Sequence, residues 1–361
     1  NSEPPDLLGT PDALLMISEE VAVFDNLKNR LHLIVMVEDI EEETIQGAES
    51  KLDLLEEKLK QNYRFEEFSK PDDSVEESDF VSSFGEDEFK SAVNKVKEYI
   101  KRGDVMQVVC SQRMSIPFNS DPVALYRAIR YLNPSPYMYY LNLKDFHIVG
   151  SSPEILVRCE DNQIMVRPIA GTRKRGETMA QDQALAEELL ADEKERAEHV
   201  MLVDLGRNDV GRVAQFQTVT LDPFMTIERY SHVMHIASNV EGDLADDCDS
   251  IDALLAGFPA GTVSGAPKVR AMEIIDELEP ERRGVYSGAV GYIGWNGNMD
   301  TAIAIRTAVI SGDTLYIQAG AGIVADSIPA HEWQETMNKG RAIFRAVAVA
   351  AAGLESRTIQ T

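Results

Sequence analysis

Cysteine is scarce in this 361-residue chain: Cys110, Cys159 and Cys248 are widely spaced and odd in number. That excludes a disulfide framework and a Cys-x-x-Cys metal site, and it makes a reducing cytoplasm the expected setting. Long apolar runs are also missing. No stretch approaches the roughly 18 residues needed to span a bilayer. The opening Asn1-Ser2-Glu3-Pro4-Pro5-Asp6 lacks the basic start and apolar run of a signal peptide, so a soluble protein without a membrane partner is expected. Positive charge is the third shortage, with 35 Lys and Arg against 61 Asp and Glu and a formal charge of -26. Such a field repels nucleic acid and anionic membrane surfaces. What the chain does have is apolar matter: 44% hydrophobic content suffices for a large core, in one big domain or two ordinary ones.

Apolar runs at Leu14 to Ile17, Val21 to Phe24 and Leu31 to Val37, with a turn at Asp25-Asn26, read as short strands. They resemble the middle of a fold, so an amino-terminal portion is expected to be missing. Residues 38 to 83 turn acidic, with a helix over about Ala48 to Leu59 and a connector around Lys70 to Asp79. The expected division is 1–83 as an amino-terminal remnant with sheet strands and acidic connector, 84–355 as the main domain and 356–361 as a tail. In the main domain, Glu86 to Lys101 carries Phe89, Val93, Val96 and Ile100 at helical spacing. Val105 to Cys110 reads as a strand and Pro122 to Tyr131 as a helix. Ala289 to Ile293, Ala302 to Ile305 and Thr314 to Ile317 read as antiparallel strands, joined by turns at Asn296-Gly297-Asn298 and Ser311-Gly312-Asp313. No repeat is visible. The pattern predicts an α/β fold of the α+β type with large, mostly antiparallel sheets.

Two Glu-x-x-Glu pairs stand at helix starts. Asp192 has N-cap character, with Glu195 three residues on, and opens a helix to at least Leu205. Glu195 and Glu198 share a face with Leu202 and Leu205, which turns them inward. Inward carboxylates need a cation, and all-oxygen ligands suit magnesium; the alternative is a hydrated, charged helix start. Glu332 and Glu335 follow Pro329, with Asp326 or Ser327 as cap, beside rather than above the stripe of Trp333, Met337, Phe344 and Val347. Helix amino termini favour carboxylates, and magnesium usually takes one or two protein carboxylates directly. Glu198 and Glu335 are therefore the expected direct ligands.

Gly320-Ala321-Gly322, with Ala325, matches a loose dinucleotide fingerprint. A nucleotide site would need a following strand with an acidic residue; here one helix runs to Ala352, which leaves an anion nest for a carboxylate. Arg306, at a strand end, is a bidentate partner for such a group or a surface arginine. Gly171-Thr172 and Gly261-Thr262 are further small-residue turns, and Glu154 is a candidate acid or an ordinary surface glutamate. His232 and His235 could complete a zinc triad with Glu228, but Val233, Ile236 and Val240 read as a strand that parts the two histidines. An inward His235 is a satisfied structural residue or a general acid or base.

From about Gly103 to Arg345 the chain closely resembles the chorismate-utilising enzymes, in detail their anthranilate synthase branch. The resemblance rests on Pro168 to Arg173 (PIAGTR), Glu198 to Asp209 (EHVMLVDLGRND), Phe258 to Ile275 (FPAGTVSGAPKVRAMEII) and Gly320 to Val324 (GAGIV). It implies two large antiparallel sheets packed face to face and covered by helices. It also implies magnesium-dependent conversion of chorismate to anthranilate and pyruvate in tryptophan biosynthesis. Ammonia would come from glutamine through a separate amidotransferase subunit, making a hetero-oligomer. Residues 84–355 would be the chorismate-binding catalytic domain.

Transferred position by position, the resemblance puts Gly171, Thr172 and Thr262 at the ring carboxylate, which also binds the ion. Tyr286, Arg306, Gly320, Ala321 and Gly322 would hold the enolpyruvyl carboxylate. Glu154 would protonate the departing ring hydroxyl, and His235 would serve pyruvate elimination. Relatives that add water carry a lysine where this chain has Gln107, and aminodeoxychorismate synthases typically carry one where it has Ala170; both positions favour anthranilate synthase over isochorismate, salicylate and aminodeoxychorismate synthases. An inactive binding relative is opposed by the intact glutamates. Tryptophan feedback in this family uses a Leu-Leu-Glu-Ser segment with the Asn133, Pro136, Tyr137 and Met138 run; the run is here and the segment is not.

Overall fold

A computed structural model describes residues 4–61, 75–230 and 233–352. Ser231, His232, the first part of the expected connector and the expected tail lie outside the described residues. The chain divides into two compact units, Pro11–Ser69 and Asn1–Thr10 with Lys70–Thr361. In the smaller unit, strands Glu20–Asp25 and Arg30–Val35 form an antiparallel hairpin, and a helix covers Glu42–Lys60. The strand expected at Leu14 to Ile17 is absent. Four apolar residues make a strand only where a second segment offers a ladder, and no described segment pairs with them there.

The larger unit is built on antiparallel ladders, as its frequent turns dictate. Its seven-stranded sheet runs in the order Gly265–Ala266, Gln107–Pro117, Thr314–Ile323, Thr307–Ser311, Phe146–Ser152 and Tyr137–Asn142, with Val81–Ser82 also paired to Gln107–Pro117. A six-stranded sheet orders Thr220–Leu221, Val240–Asp243, Gln163–Val166, Ile155–Glu160, Met299–Ile303 and Ala289–Ile293. A three-stranded sheet, Thr226–Arg229, Val233–Ala237 and Ile169–Lys174, continues two of these strands past Pro168 and Asn239. Across that break the Ser238 amide donates to the Pro168 carbonyl at 3.3 Å. The fold class expected from sequence is therefore present: mixed α/β, with antiparallel sheets and helices.

Helices form where the sequence caps them. Asp192 caps Glu193–Gly211 by accepting from the amides of Lys194 and Glu195. Asp121 caps Pro122–Leu132 by accepting from Val123. At Pro329–Ala352 neither Asp326 nor Ser327 caps the backbone: the Ile328 carbonyl accepts from Glu332, Asp326 pairs with Lys194, and the Ser327 hydroxyl accepts from Val324.

Strand Gln107–Pro117 runs seven residues beyond its expected end and is buried along nearly its whole length. Val108 and Cys110 pack with Phe89, Val93, Val96, Ile274, Ala321 and Ile323, under helices Glu86–Arg102 and Lys268–Leu278. The opposite face carries Gln107, Ser111 and Arg113, all buried and polar. A second core joins the six-stranded sheet to Glu193–Gly211 and Ser250–Gly257 through Leu156, Val157, Ile164, Val203, Val210 and Ala253.

The two large sheets meet at a double corner. The strand Phe146–Ser152 passes through Pro153 and Glu154 into Ile155–Glu160, and Met299–Ile303 passes through Ala304 to Arg306 into Thr307–Ser311. At the crossing Ile303 donates to the Glu154 carbonyl and Ser151 to the Arg306 carbonyl, both at 3.1 Å. One short exchange thus sets Glu154 beside Arg306.

Arg113 forms a buried ion pair with Glu281, also bonded to Ser83, and donates to Gln318. Removing one member of such a pair strands the other charge. Glu281→Ala is expected to destabilise the chain by about 3 kcal/mol, read from the urea midpoint; a change under about 1 kcal/mol would contradict the pair's structural role.

Candidate active site

At the bottom of the double corner lies Glu154, 9% exposed. Burial pushes its carboxyl up to about 7, against the lowering influence of Thr262, Lys339 and Arg306. A carboxyl titrating near neutrality can hold a proton and release it. Arg306, its neighbour, adopts a left-handed backbone with φ 49°, unusual for a side chain of this kind. Burial lowers its guanidinium below the ordinary value, yet it stays charged. Its side chain makes no hydrogen bond or ion pair with any described residue. A half-buried, unpaired guanidinium is costly in a folded protein unless an anion completes it.

His235 is placed by a β-bulge. In the pairing of Val233–Ala237 with Ile169–Lys174, Met234 faces Arg173 and Ile236 faces Ala170, so Gly171 and Thr172 together oppose His235. Gly171 takes φ 68°, as a bulge of this type requires. The His235 Nδ1 lies 2.8 Å from the Gly171 carbonyl and 3.1 Å from the Thr172 hydroxyl. A carbonyl can only accept, so Nδ1 carries the proton and Nε2 keeps a free lone pair. Burial, with Arg306 nearby, lowers the ring's pKa and favours this neutral form, against the bond to Gly171. Tyr230 packs edge-on against the ring at 5.7 Å and donates to Glu228, which is ion-paired with Arg167. Glu228 is thereby taken up, and among the described residues no group of three or more His, Cys, Asp or Glu could hold a metal ion.

The glutamate pairs occupy two facing helix starts. Glu195 and Glu198 are half-buried while their helix neighbours Glu193, Lys194, Arg196 and Ala197 are exposed, as their shared face with Leu202 requires. Arg173 holds Glu195 at 3.1 Å and also reaches Asp192 and Glu188. Burial raises the pKa of Glu198; the charges of Glu195 and Glu335 add to the rise, and the Gln107 amide 3.3 Å away opposes it. Glu332 is raised by burial, opposed by Ser327 and then reinforced by the charge of Glu335. Glu335 is exposed and bridged at 2.8 Å to Lys339, whose ammonium also donates to the Gly320 carbonyl at 2.9 Å.

Strand Thr314–Ile323 alternates by the strand period. Ala321 lies in the helix-side core, so it offers this site only backbone, whereas Gly320 and Gly322 face the other way. A Cβ at Gly322 would meet the Gln107 amide at 2.4 Å, and one at Gly320 would meet the Tyr286 hydroxyl at 2.8 Å. These glycines let the Gln107 amide and the Tyr286 hydroxyl come close to the strand backbone. Among the described residues, the buried polar side-chain atoms without a hydrogen-bond partner include Gln107 Oε1 and Thr262 Oγ1, the latter close enough to Glu154 to lower its pKa. A buried acceptor and hydroxyl left open beside crowded carboxylates call for a ligand or ion.

Glu154, Arg306, His235, Gly171, Thr172, Thr262, Gln107, Tyr286, Gly320, Gly322 and the four glutamates thus form one connected neighbourhood. Asn133, Pro136, Tyr137 and Met138 belong elsewhere, at the edge strand Tyr137–Asn142 of the seven-stranded sheet. There Tyr137 donates to Asp300 at 2.8 Å and the Asn133 carbonyl accepts from Ser151. Lys339 and Arg173 had been assigned no part in this neighbourhood. Lys339 was legible as the i+4 partner of Glu335; Arg173 was not, because its carboxylate partners lie across a sheet-to-helix contact.

The family of chorismate binding enzymes matches residues 1–345. The chain belongs to that family. It is 59% identical to anthranilate synthase component 1 of Pseudomonas putida over 96% of this chain and 70% of that protein. It is 52% identical to the Aquifex aeolicus protein of the same name, over 96% and 70%. Among solved structures, anthranilate synthase component I of Streptococcus pneumoniae superposes with TM-score 0.86 at 41% identity, over 95% of this chain and 76% of that one. The menaquinone-specific isochorismate synthase of Escherichia coli gives 0.74 at 25% identity, over 88% and 72%.

Chorismate binding enzymes must hold two carboxylates at once, and the site has two separate electrostatic needs to match. One is the cation at Arg306, unpaired among the described residues. The other is the crowd of carboxylates around Glu198, which suits a hard divalent cation. Two direct protein carboxylates with water and substrate oxygens would satisfy magnesium, and the oxygen-only donors fit it. Among the described residues no helix is long and apolar enough to cross a membrane.

The raised pKa of Glu154 has a linkage consequence. A carboxyl held near 7 in the folded chain and near 4.5 when unfolded stabilises the fold fully below pH 4.5, and that stability is lost as pH rises through 7. Glu154→Gln should therefore be more stable than the parent above pH 7, by up to about 3 kcal/mol, with the gap closing below pH 4.5. Parallel thermal-unfolding curves across pH 4 to 8 would show that Glu154 titrates normally.

Proposed function

We propose that the chain is the chorismate-converting component of an anthranilate synthase, taking chorismate and ammonia to anthranilate and pyruvate. The observation that supports this most directly is the half-buried Arg306, without a hydrogen-bond or ion-pair partner among the described residues, beside a carboxyl titrating near 7. Substrate orientation follows. The enolpyruvyl carboxylate would sit on Arg306, Tyr286 and the backbone at Gly320 to Gly322, and the ring carboxylate on Gly171, Thr172 and Thr262. Glu198 and Glu335 would hold magnesium directly, with Glu195 and Glu332 acting through water. When bound, the ion supplies Lewis-acid stabilisation and orientation of the ring carboxylate.

Ammonia then bonds to a ring carbon as the ring hydroxyl departs, and Glu154 gives that hydroxyl its proton so that it leaves as water. In the second half the free Nε2 of His235 would take the ring proton lost on aromatisation, while the methylene carbon of the departing enolpyruvyl group gains a proton so that it leaves as pyruvate. Water-adding chemistry finds no support at Gln107, whose side chain has no basic group and donates to Glu198. The buried Ala170 equally offers no lysine for the aminodeoxychorismate reaction. Ammonia would be delivered by a glutamine amidotransferase subunit in a hetero-oligomer, consistent with the component names of the relatives. The free Cys110, Cys159 and Cys248 suit a reducing cytoplasm.

Incubation with chorismate, magnesium and ammonium salt should give anthranilate fluorescence; isochorismate or aminodeoxychorismate as product would overturn the proposal. Glu335→Gln should cut turnover by about a hundredfold or more and raise the magnesium concentration needed for half-saturation. An unaltered rate and magnesium dependence would remove Glu335 from the metal.

A further inference from the structure

Behind Tyr286 and Thr262 lies a buried cation that the proposed chemistry does not use. Arg283 has a side chain 15% exposed, and its partner Glu279 one 3% exposed. All the donors of its planar fork are engaged. Nε donates to Glu279 Oε2 at 2.8 Å, and Nη2 donates to Glu279 Oε1 at 2.6 Å and the Val109 carbonyl at 2.7 Å. Nη1 donates to the Val263 carbonyl at 2.6 Å and the Ser287 hydroxyl at 3.1 Å. The guanidinium also sits 5.4 Å from the centre of the Tyr286 ring, within cation–π range.

These acceptors come from separate pieces of chain: the end of helix Lys268–Leu278, the strand that begins at Gln107, the Gly261–Val263 turn and the Tyr286-Ser287 corner. Glu279 extends the link, because its Oε1 accepts from both the amide and the hydroxyl of Ser111 at 2.8 Å. Ser111 pairs in register with Gly320, and the Ser111 hydroxyl accepts from Gln318 at 2.8 Å. Ser287 holds a left-handed φ of 68°, which its neighbours must maintain. One guanidinium therefore fixes Thr262, Tyr286 and the strand under Gly320 relative to one another.

We propose that Arg283 is a positioning residue that sets the subsite for the substrate's enolpyruvyl carboxylate, holding the Tyr286 hydroxyl against the Gly320 backbone without touching substrate. The inference rests on the proposed orientation of chorismate. Tyr286 and the glycine backbone grip a group that does not react, so their interaction is the same in ground and transition states. Arg283 gives no bond to Glu154 or His235. Disturbing it should raise KM and largely spare kcat. Mere loss of structure would instead reduce the fraction of active enzyme, lowering kcat at constant KM.

Arg283→Lys keeps the charge and can keep Glu279, but a lysine lacks the fork that reaches the carbonyls of Val109 and Val263. Its KM for chorismate is expected to rise about tenfold or more, with kcat within about threefold and magnesium half-saturation unchanged. An unchanged KM, or a kcat loss at constant KM, would overturn the inference. Should that variant not fold, Ser287→Ala removes a single bond and should raise KM about threefold; no rise would overturn it equally. If the parent chain makes no anthranilate, the proposed reaction fails on its own, and calorimetric binding of chorismate then decides: a Kd for Arg283→Lys equal to the parent's would sink the positioning role.

Discussion

A guanidinium held without a partner among the described residues is the constraint around which this site is arranged. The chain pays for Arg306 in two ways, through a left-handed backbone and through partial burial of an uncompensated charge. Both follow from the double corner, where two strands leave one sheet and enter another within a few residues. The same exchange places Glu154, whose carboxyl is pushed toward neutrality by burial and pulled back only in part by Thr262, Lys339 and Arg306. The cation and the proposed proton donor are thus products of one piece of topology. Strain of this kind persists only when the surroundings over-determine it, and the buried ladders on either side of the corner supply that rigidity.

Opposite in sign, the four glutamates make the second half of the arrangement. Glu198 is held among Glu195 and Glu335, and Gln107 and Lys339 partly relieve it. Arg173 secures Glu195 from behind by bridging the bulged strand to the helix start. In the proposed reading, a cation at one end and an anionic excess at the other would give a dianion one orientation, which a uniformly basic pocket would not do.

Much of this was legible in the residues alone. The period of Phe89, Val93 and Val96 marked a helix, Asp192 marked its cap, and Glu195 and Glu198 fell on the side of Leu202. Glycines in the Gly320 to Gly322 run pointed to close backbone approach. The continuation of Gln107–Pro117 past Cys110 was hidden, because Ser111, Gln112, Arg113 and Ser115 break the apolar run with polar residues. They form a buried strand because Glu279, Thr336, Gln318 and Glu281 satisfy the first three of them from distant segments. Pairings of that separation leave no periodic trace. Leu14 to Ile17 failed in the opposite sense, as local apolarity without a partner. The roles of Tyr286 and Thr262 came from family resemblance, since each is an ordinary residue until a second element is folded against it.

The proposed pair of independent grips on one dianion makes a quantitative demand on binding. The most direct measurement is calorimetric titration of chorismate, without ammonia, into the parent chain and Arg306→Gln, each with and without magnesium. Separate grips predict that loss of Arg306 and loss of magnesium each weaken binding, and that their effects multiply in Kd when combined. If magnesium removal cost nothing once Arg306 was gone, the two would be serving the same carboxylate, and the orientation proposed for the substrate would be wrong.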